Sequence, residues 1–159
     1  MTIASLLLGL VLQNSTVAAP PAAKPEDVAT QDSIIKSLYD VISGPAGQKR
    51  DWDRFRSLFA PNGRLTAVVK NSKAEWVAVG MTPDDYVNRS GKVIEERGFF
   101  EKEVKRKIDN VQGMSMAWSD YESRMKADDE KPFQTGTNAI QMYSDGKRWF
   151  LLSVLWQAK

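Results

Sequence analysis

Helical stripes in the first third, followed by a succession of alternating strands, predict an α+β domain. Three observations carry this expectation. Between Asp27 and Ile42 the apolar residues Ile34, Ile35, Leu38, Val41 and Ile42 recur at three- and four-residue spacing, one face of a helix. From Gly113 to Arg124 the pattern changes to strict alternation, with Met114, Met116, Trp118, Asp120 and Glu122 on one face and Ser115, Ala117, Ser119 and Tyr121 on the other. The last quarter, Phe133 to Trp156, reads as two strands joined by Ser144-Asp145-Gly146-Lys147, where Asp-Gly supplies two residues that tolerate positive φ.

The chain opens on an apolar block, Ile3 to Leu12. A membrane-crossing helix needs about 20 such residues, so the block is too short to span. A polar break and the small residues Val17-Ala18-Ala19 follow it, the pattern of a secretory signal peptide with a weak n-region, since no Lys or Arg precedes the block. A membrane-tethered stalk is the alternative. Pro20 to Pro25 reads as an extended leader. Residues 1–23 are therefore assigned to signal peptide and leader, and 24–159 to one domain, periplasmic or secreted, with no stable membrane insertion after signal removal.

Gly44-Pro45 ends the first helix. Trp52, Phe55 and Phe59 form a second helical stripe behind Asp51, a fitting N-cap, and Pro61-Asn62-Gly63 stops it. Leu65–Val69 and Trp76–Val79 are β-rich and flank the turn Asn71-Ser72-Lys73. Thr82-Pro83-Asp84-Asp85 starts a third helix, with Thr82 as cap, Pro83 at the first helical position and both aspartates at the positive end of the dipole. Phe99–Ile108 fits either period: Phe100, Val104 and Ile108 make a helix face or one side of a strand whose other side is Glu101, Glu103, Lys105 and Lys107. The closing run Arg148–Trp156 is apolar on both alternating faces, with Trp149, Leu151 and Leu155 on one and Phe150, Leu152, Val154 and Trp156 on the other. Such a strand needs cover on both sides.

Composition removes much chemistry. There is no cysteine, so no disulfide framework. There is no histidine, which excludes Ser-His-Asp and Cys-His nucleophiles and His- or Cys-ligated zinc. Catalysis near neutral pH would fall to carboxylates, Tyr or Lys with shifted pKa values. No cofactor or metal is implied. The net charge of +2 and the interleaving of Glu101 and Glu103 in the basic run Lys102–Lys107 argue against nucleic acid.

The helix pair, the phrase Ser57-Leu58-Phe59-Ala60-Pro61-Asn62-Gly63-Arg64-Leu65, the strand Trp118-Ser119-Asp120-Tyr121-Glu122-Ser123-Arg124 and the final Gly146-Lys147-Arg148-Trp149, in that order, resemble the nuclear transport factor 2-like superfamily, and within it the SnoaL-like bacterial branch. The resemblance covers roughly residues 28–157. It implies a cone: N-terminal helices packed in the concave face of a curved antiparallel sheet, a pocket at the open end, residues 99–108 extended, and a homodimer through the outer sheet face. In ketosteroid isomerase-like members a first-helix tyrosine donates to the developing oxyanion, and Tyr39 falls at that position. The general-base aspartate of those enzymes matches a position near Ala67, and the histidine of many SnoaL-like sequences matches Met116. Neither residue here can move a proton.

Six residues are candidates for the pocket: Tyr39, Trp76, Met116, Trp118, Asp120 and Asn138. For each a structural role competes. Tyr39 suits a ring at the helix–sheet edge, Met116 and Trp118 suit core packing, Asp120 suits a solvated strand end, and Asn138, among Ile140 and Met142, needs partners for a buried amide. Asp84 and Asp85 are explained as capping charges. The sequence thus supports an exported single-domain protein that binds a small apolar or amphipathic molecule, with no catalytic residue assigned. The alternatives are a lyase or isomerase using Tyr39 with Asp120 or Glu122, and a dimerising domain whose cone is filled.

Overall fold

The computed structural model describes residues 20–159, so the signal-peptide expectation lies outside the described residues for all but its last four positions. One helical turn, α1 (Pro25–Val28), precedes α2 (Gln31–Ile42). The single helix expected over this stretch is interrupted because Thr30 takes the N-cap. Its hydroxyl accepts from the Ser33 amide, and Ser33 Oγ accepts from the Thr30 amide, a reciprocal capping box. The apolar stripe of α2 is buried from Ile34 to Ile42. Asp51 caps α3 (Trp52–Ser57) by accepting from the Arg54 amide. Phe59, expected on this helix, instead opens β1 (Phe59–Lys70), where it pairs with Leu151. Pro61-Asn62-Gly63 is an irregularity inside that strand rather than a stop.

β2 (Trp76–Met81) returns antiparallel to β1. Thr82 and Asp85 form a second capping box at the start of α4 (Pro83–Tyr86), which continues through a π-helical turn, Val87–Gly91, into α5 (Lys92–Arg97). Asp84 leaves the cap and pairs with Arg56. Gly98, at φ +78°, ends α5, and a Cβ there would lie 2.7 Å from the Met125 carbonyl oxygen. A meander follows: β3 (Phe100–Val111), β4 (Met114–Arg124), β5 (Gln134–Ser144) and β6 (Trp149–Ala158). The six strands lie in the order β2-β1-β6-β5-β4-β3 in a curved, unclosed sheet. All neighbours are antiparallel except β1 and β6, which run parallel because the meander starts at the far edge and returns beside β1. The closing turn has positive φ at Gly146 alone, and the Asp145 carboxylate accepts from the Lys147 and Arg148 amides.

Two bulges set which side chains enter the cone. In β6 the register shifts between Gln141–Ser153 and Met142–Leu151, so Leu151 and Val154, three residues apart, are both buried. The two faces expected from strict alternation are therefore exchanged halfway along. On the outer face Phe150 stacks on Tyr143 at 5.0 Å, under the Arg148 guanidinium. In β3 Val104 is the extra residue: Glu103 pairs with Tyr121 and Lys105 with Asp120, leaving Val104 unpaired.

The core is aliphatic from α2 and aromatic from α3. Phe55 is fully buried against Phe59 at 5.1 Å and stacks on Tyr86 at 5.2 Å. Beside it a charged cluster ties α1, α2 and α3 together. Arg54 donates to both carboxylate oxygens of buried Asp27, at 2.7 and 2.9 Å, and to Asp40 at 2.6 Å. The guanidinium and the Ser37 hydroxyl hold the Asp27 carboxyl below its usual range despite burial. Replacing Arg54 by Met leaves that carboxylate buried and unpaired. The expected loss is about 3–5 kcal/mol in a urea unfolding curve, largely recovered in the Asp27→Leu, Arg54→Met double variant.

Candidate functional site

β4 gives the cone small inward residues: Ser115, Ala117, Ser119 and Ser123 are buried, with Tyr121 the one large side chain among them. Small residues are needed where Ile34, Ile35 and Leu38 of α2 press on the sheet, because a second layer of large side chains would not fit. The apolar partners of that alternation point the other way. Met114 and Trp118 are exposed and Met116 half-buried on the convex face. Asp120 shares that face, accepting from the Thr137 hydroxyl and lying 3.5 Å from Lys159 Nζ. Trp76 is exposed on the edge strand β2, where Lys70 lies over its ring. The structure therefore removes Trp76, Met116, Trp118 and Asp120 from the cone interior. The alternation was read with its two faces separated correctly and the wrong one turned inward.

Tyr39 and Asn138 are brought together. Asn138 Nδ2 donates to Tyr39 Oη at 2.9 Å, and Tyr39 Oη lies 2.7 Å from Ser119 Oγ. Ser119 Oγ in turn donates to Glu103. Since the serine proton goes to the carboxylate, the tyrosine proton must go to the serine oxygen, and the chain has one direction: Asn138 to Tyr39 to Ser119 to Glu103. Arg106 closes it by a two-pronged ion pair with Glu103 and a bond to Asp32 at the start of α2. Burial, only partly offset by Ser119 and Asn138, pushes the Tyr39 hydroxyl up to about 12. Tyr39 is a neutral structural donor, sealed under the cavity rather than open to it.

The cavity lies between the sheet and the α4–α5 segment and measures about 430 Å³. Leu38, Phe55, Leu65, Ile94, Val154 and Trp156 supply most of its apolar wall. Of the six candidates, Asn138 alone lines it. Among the polar groups that join it are Tyr86, Tyr121 and Glu101. Gly136 makes room for the Tyr121 ring: a Cβ there would lie 2.3 Å from the phenol oxygen.

Glu101 is the residue that sequence reasoning missed. It stands on β3 before the bulge, opposite buried Ser123, and so faces inward. Ser123 Oγ donates to its carboxylate at 3.0 Å, and it forms no ion pair among the described residues. The residue is half-buried and its side chain lines the cavity. Burial pushes its carboxyl up to about 7, with hydrogen bonds from Ser123 and Asn138 opposing the shift. Tyr86 and Tyr121 are held neutral by burial and by the neighbouring Glu101 charge. The missed signal was the odd separation of Phe99 and Ile108: both pack on the core, which alternation forbids unless one residue between them is extra.

The absence of histidine makes Glu101 readable in solution. Its protonated form persists in the native state above the ordinary range, where the unfolded chain is already ionised. The native state then binds more protons, so stability falls as pH rises from about 4.5 to about 7. Asp27, Glu95, Asp120 and Asp145 are all shifted downward and act on the acid side of this window. Chemical denaturation at pH 5 and pH 8 is expected to show the wild type weaker at pH 8 by on the order of 2 kcal/mol, and Glu101→Gln nearly level.

No protein-family model and no curated protein matches the chain. Solved structures do match, at the level of fold. A protein of unknown function with a cystatin-like fold from Nostoc punctiforme superposes with a TM-score of 0.60 at 9% identity, over 80% of this chain and 87% of that one. A scytalone dehydratase-like protein from Novosphingobium aromaticivorans gives 0.58 at 13% identity, over 80% of each chain. A nuclear transport factor 2-like protein from Cytophaga hutchinsonii gives 0.56 at 10% identity, over 82% and 99%.

Proposed function

We propose that this chain, which has the nuclear transport factor 2-like fold, binds a small amphipathic molecule inside its cone, apolar body against the aliphatic wall and a hydrogen-bonding group against Glu101 and Asn138. The observation that supports this reading is the cavity of about 430 Å³ with apolar walls and a few convergent polar groups, the usual make-up of a small-molecule site. A filled cone, the purely structural alternative, is at odds with that volume. The polar groups also select: a ligand that places a carbonyl or hydroxyl near Glu101 meets a donor below neutral pH.

A differential scanning fluorimetry screen of hydroxylated and keto-bearing aliphatic and aromatic compounds at pH 6 tests the reading. Binding to the native state alone raises the melting temperature. Hits are expected to lose their shift in Ser90→Trp, which adds an indole to the cavity lining beside α4 and leaves Glu101 in place. A broad library without hits, or hits indifferent to Ser90→Trp, would remove the cone as the binding site.

A catalytic reading gains support from one observation, the near-neutral carboxyl of Glu101 in an apolar cavity, which suits a general acid or base. The pair expected from sequence, Tyr39 with Asp120 or Glu122, does not form: Asp120 is bonded to Thr137 and Glu122 is paired with Arg124 at 2.9 Å, while Tyr39 is committed to Ser119 and Asn138. On this reading Glu101 abstracts or returns a proton beside a carbonyl, with Tyr121 or Tyr86 as neutral donor to the oxygen. Hydrogen–deuterium exchange of ketone hits in D2O, followed by mass spectrometry, is expected to run faster with wild type than with Glu101→Gln. Equal rates would leave binding alone.

A further inference from the structure

Two arginines stand at the rim of the cavity outside any ion pair among the described residues. Arg89 lies in the π-helical turn and Arg97 at the end of α5, and both line the cavity while remaining exposed. Among the described residues neither forms an ion pair or a side-chain hydrogen bond. The acidic neighbours bond elsewhere, although the Arg89 charge still helps to lower the Asp85 carboxyl. Asp85, one turn before Arg89, accepts from the Thr82 amide and hydroxyl, and Glu95 is held by Lys49, Arg50 and Trp52. Glu96 lies 3.7 Å from Lys92.

Their shared placement has a backbone cause. Two residues eight apart on an α-helix drift by about 80° around the axis. The π-turn, with its wider i→i+5 winding, intervenes between Arg89 and Arg97 and reduces that drift. Val93 lies midway between them, exposed and also lining the cavity. Across the rim stand Met125 and Phe133, exposed as well; Phe133 pairs with the Phe99 ring at 6.3 Å, and the Met125 carbonyl fills the space a side chain on Gly98 would need. The mouth is therefore greasy and cationic together, while the one acid of the cavity, Glu101, forms no ion pair among the described residues and carries a near-neutral carboxyl.

We infer that the ligand is a single-tailed amphipathic anion, a carboxylate or sulfonate, whose largely apolar body, bearing the hydrogen-bonding group that meets Glu101 and Asn138, enters the cone past Val93, Met125 and Phe133 and whose charged head stays outside against Arg89 and Arg97. This rests on the binding reading above and sharpens it. The forked guanidinium matches an oxyanion head group, and half-exposed cations at an apolar mouth attract such a head without the cost of burying it.

Matched amphiphiles with one tail and different heads test this: decanoate, decane sulfonate, decanol and decyltrimethylammonium, titrated calorimetrically below their critical micelle concentrations. Decanoate and decane sulfonate are expected to bind at least about tenfold more tightly than decanol, and the cation weakest. The Arg89→Gln, Arg97→Gln double variant is expected to erase the preference for anions while binding decanol as before. Both arginines are exposed and, among the described residues, unpaired, so the fold is expected to be retained, checked by its melting temperature. Decanol binding as tightly as decanoate, or an anion preference that survives the double variant, would overturn the inference and leave the cone reading standing. Failure of every amphiphile would overturn the inference, and together with a screen of keto and hydroxyl compounds without hits it would overturn the cone reading as well. A last arm uses phosphatidylglycerol vesicles: binding to vesicles that is equal in wild type and Ser90→Trp, with no uptake of monomeric decanoate, would transfer the arginines to a membrane surface and overturn uptake into the cone.

Discussion

Val104 is one residue too many for the β3–β4 ladder, and what the cone contains depends on it. Before the bulge, Glu101 and Glu103 face Ser123 and Tyr121, and after it Arg106 and Ile108 face Ser119 and Ala117. Without the extra residue, one half of β3 would turn its inward set to solvent. Either the cavity would lose Glu101, or the Glu103–Arg106 pair would lose its reach to Ser119. The bulge lets a polar strand serve the interior along its whole length, and it does so at a sheet edge, where an unpaired residue disrupts least.

The two inward glutamates, two residues apart, have opposite fates because their partners differ. Glu103 meets a guanidinium and a hydroxyl, and its charge anchors a relay that runs through Ser119 and Tyr39 to Asn138. That relay fixes the Asn138 amide with its nitrogen toward Tyr39. Glu101 meets hydroxyl and amide groups and a phenol-lined cavity, with no ion-pair partner among the described residues, so burial raises its pKa. A structural acid and a chemically available acid thus stand side by side on one strand, separated by the presence or absence of an arginine.

Much of the fold was legible in the sequence. Capping at Thr82 and Asp51, the helical stripe of α2 and the alternation of β4 and β5 depend on neighbours within a few residues, and such signals are local. What failed is what the sheet decides. Met116, Trp118 and Asp120 were separated from Ser115, Ser119 and Tyr121 correctly, but which set turns inward depends on α2. Its large aliphatic side chains already fill the space and require small ones opposite. Glu101 was hidden for a related reason: a bulge breaks the period of two, and the run Glu101-Lys102-Glu103 then looks like a solvated face. The break in β6 hid in the same way, because an apolar strand shows no alternation to interrupt.

The helical lid adds a constraint that the sheet alone would not impose. Phe55 links α3 to Tyr86 at the end of α4, so the ring stack fixes where the π-turn begins. Gly98 then ends α5 against the β4–β5 connection, with no room for a side chain. Between these two fixed points the segment must turn Tyr86 into the cavity and carry Arg89, Val93 and Arg97 along its rim. An unbroken α-helix over the same length would set the second arginine about 80° around the axis from the first, and the wider winding of the π-turn narrows that angle. The under-wound turn is therefore tied to the distribution of charge around the opening, and the polarity of the site is as much a property of helix winding at the rim as of the acid at its floor.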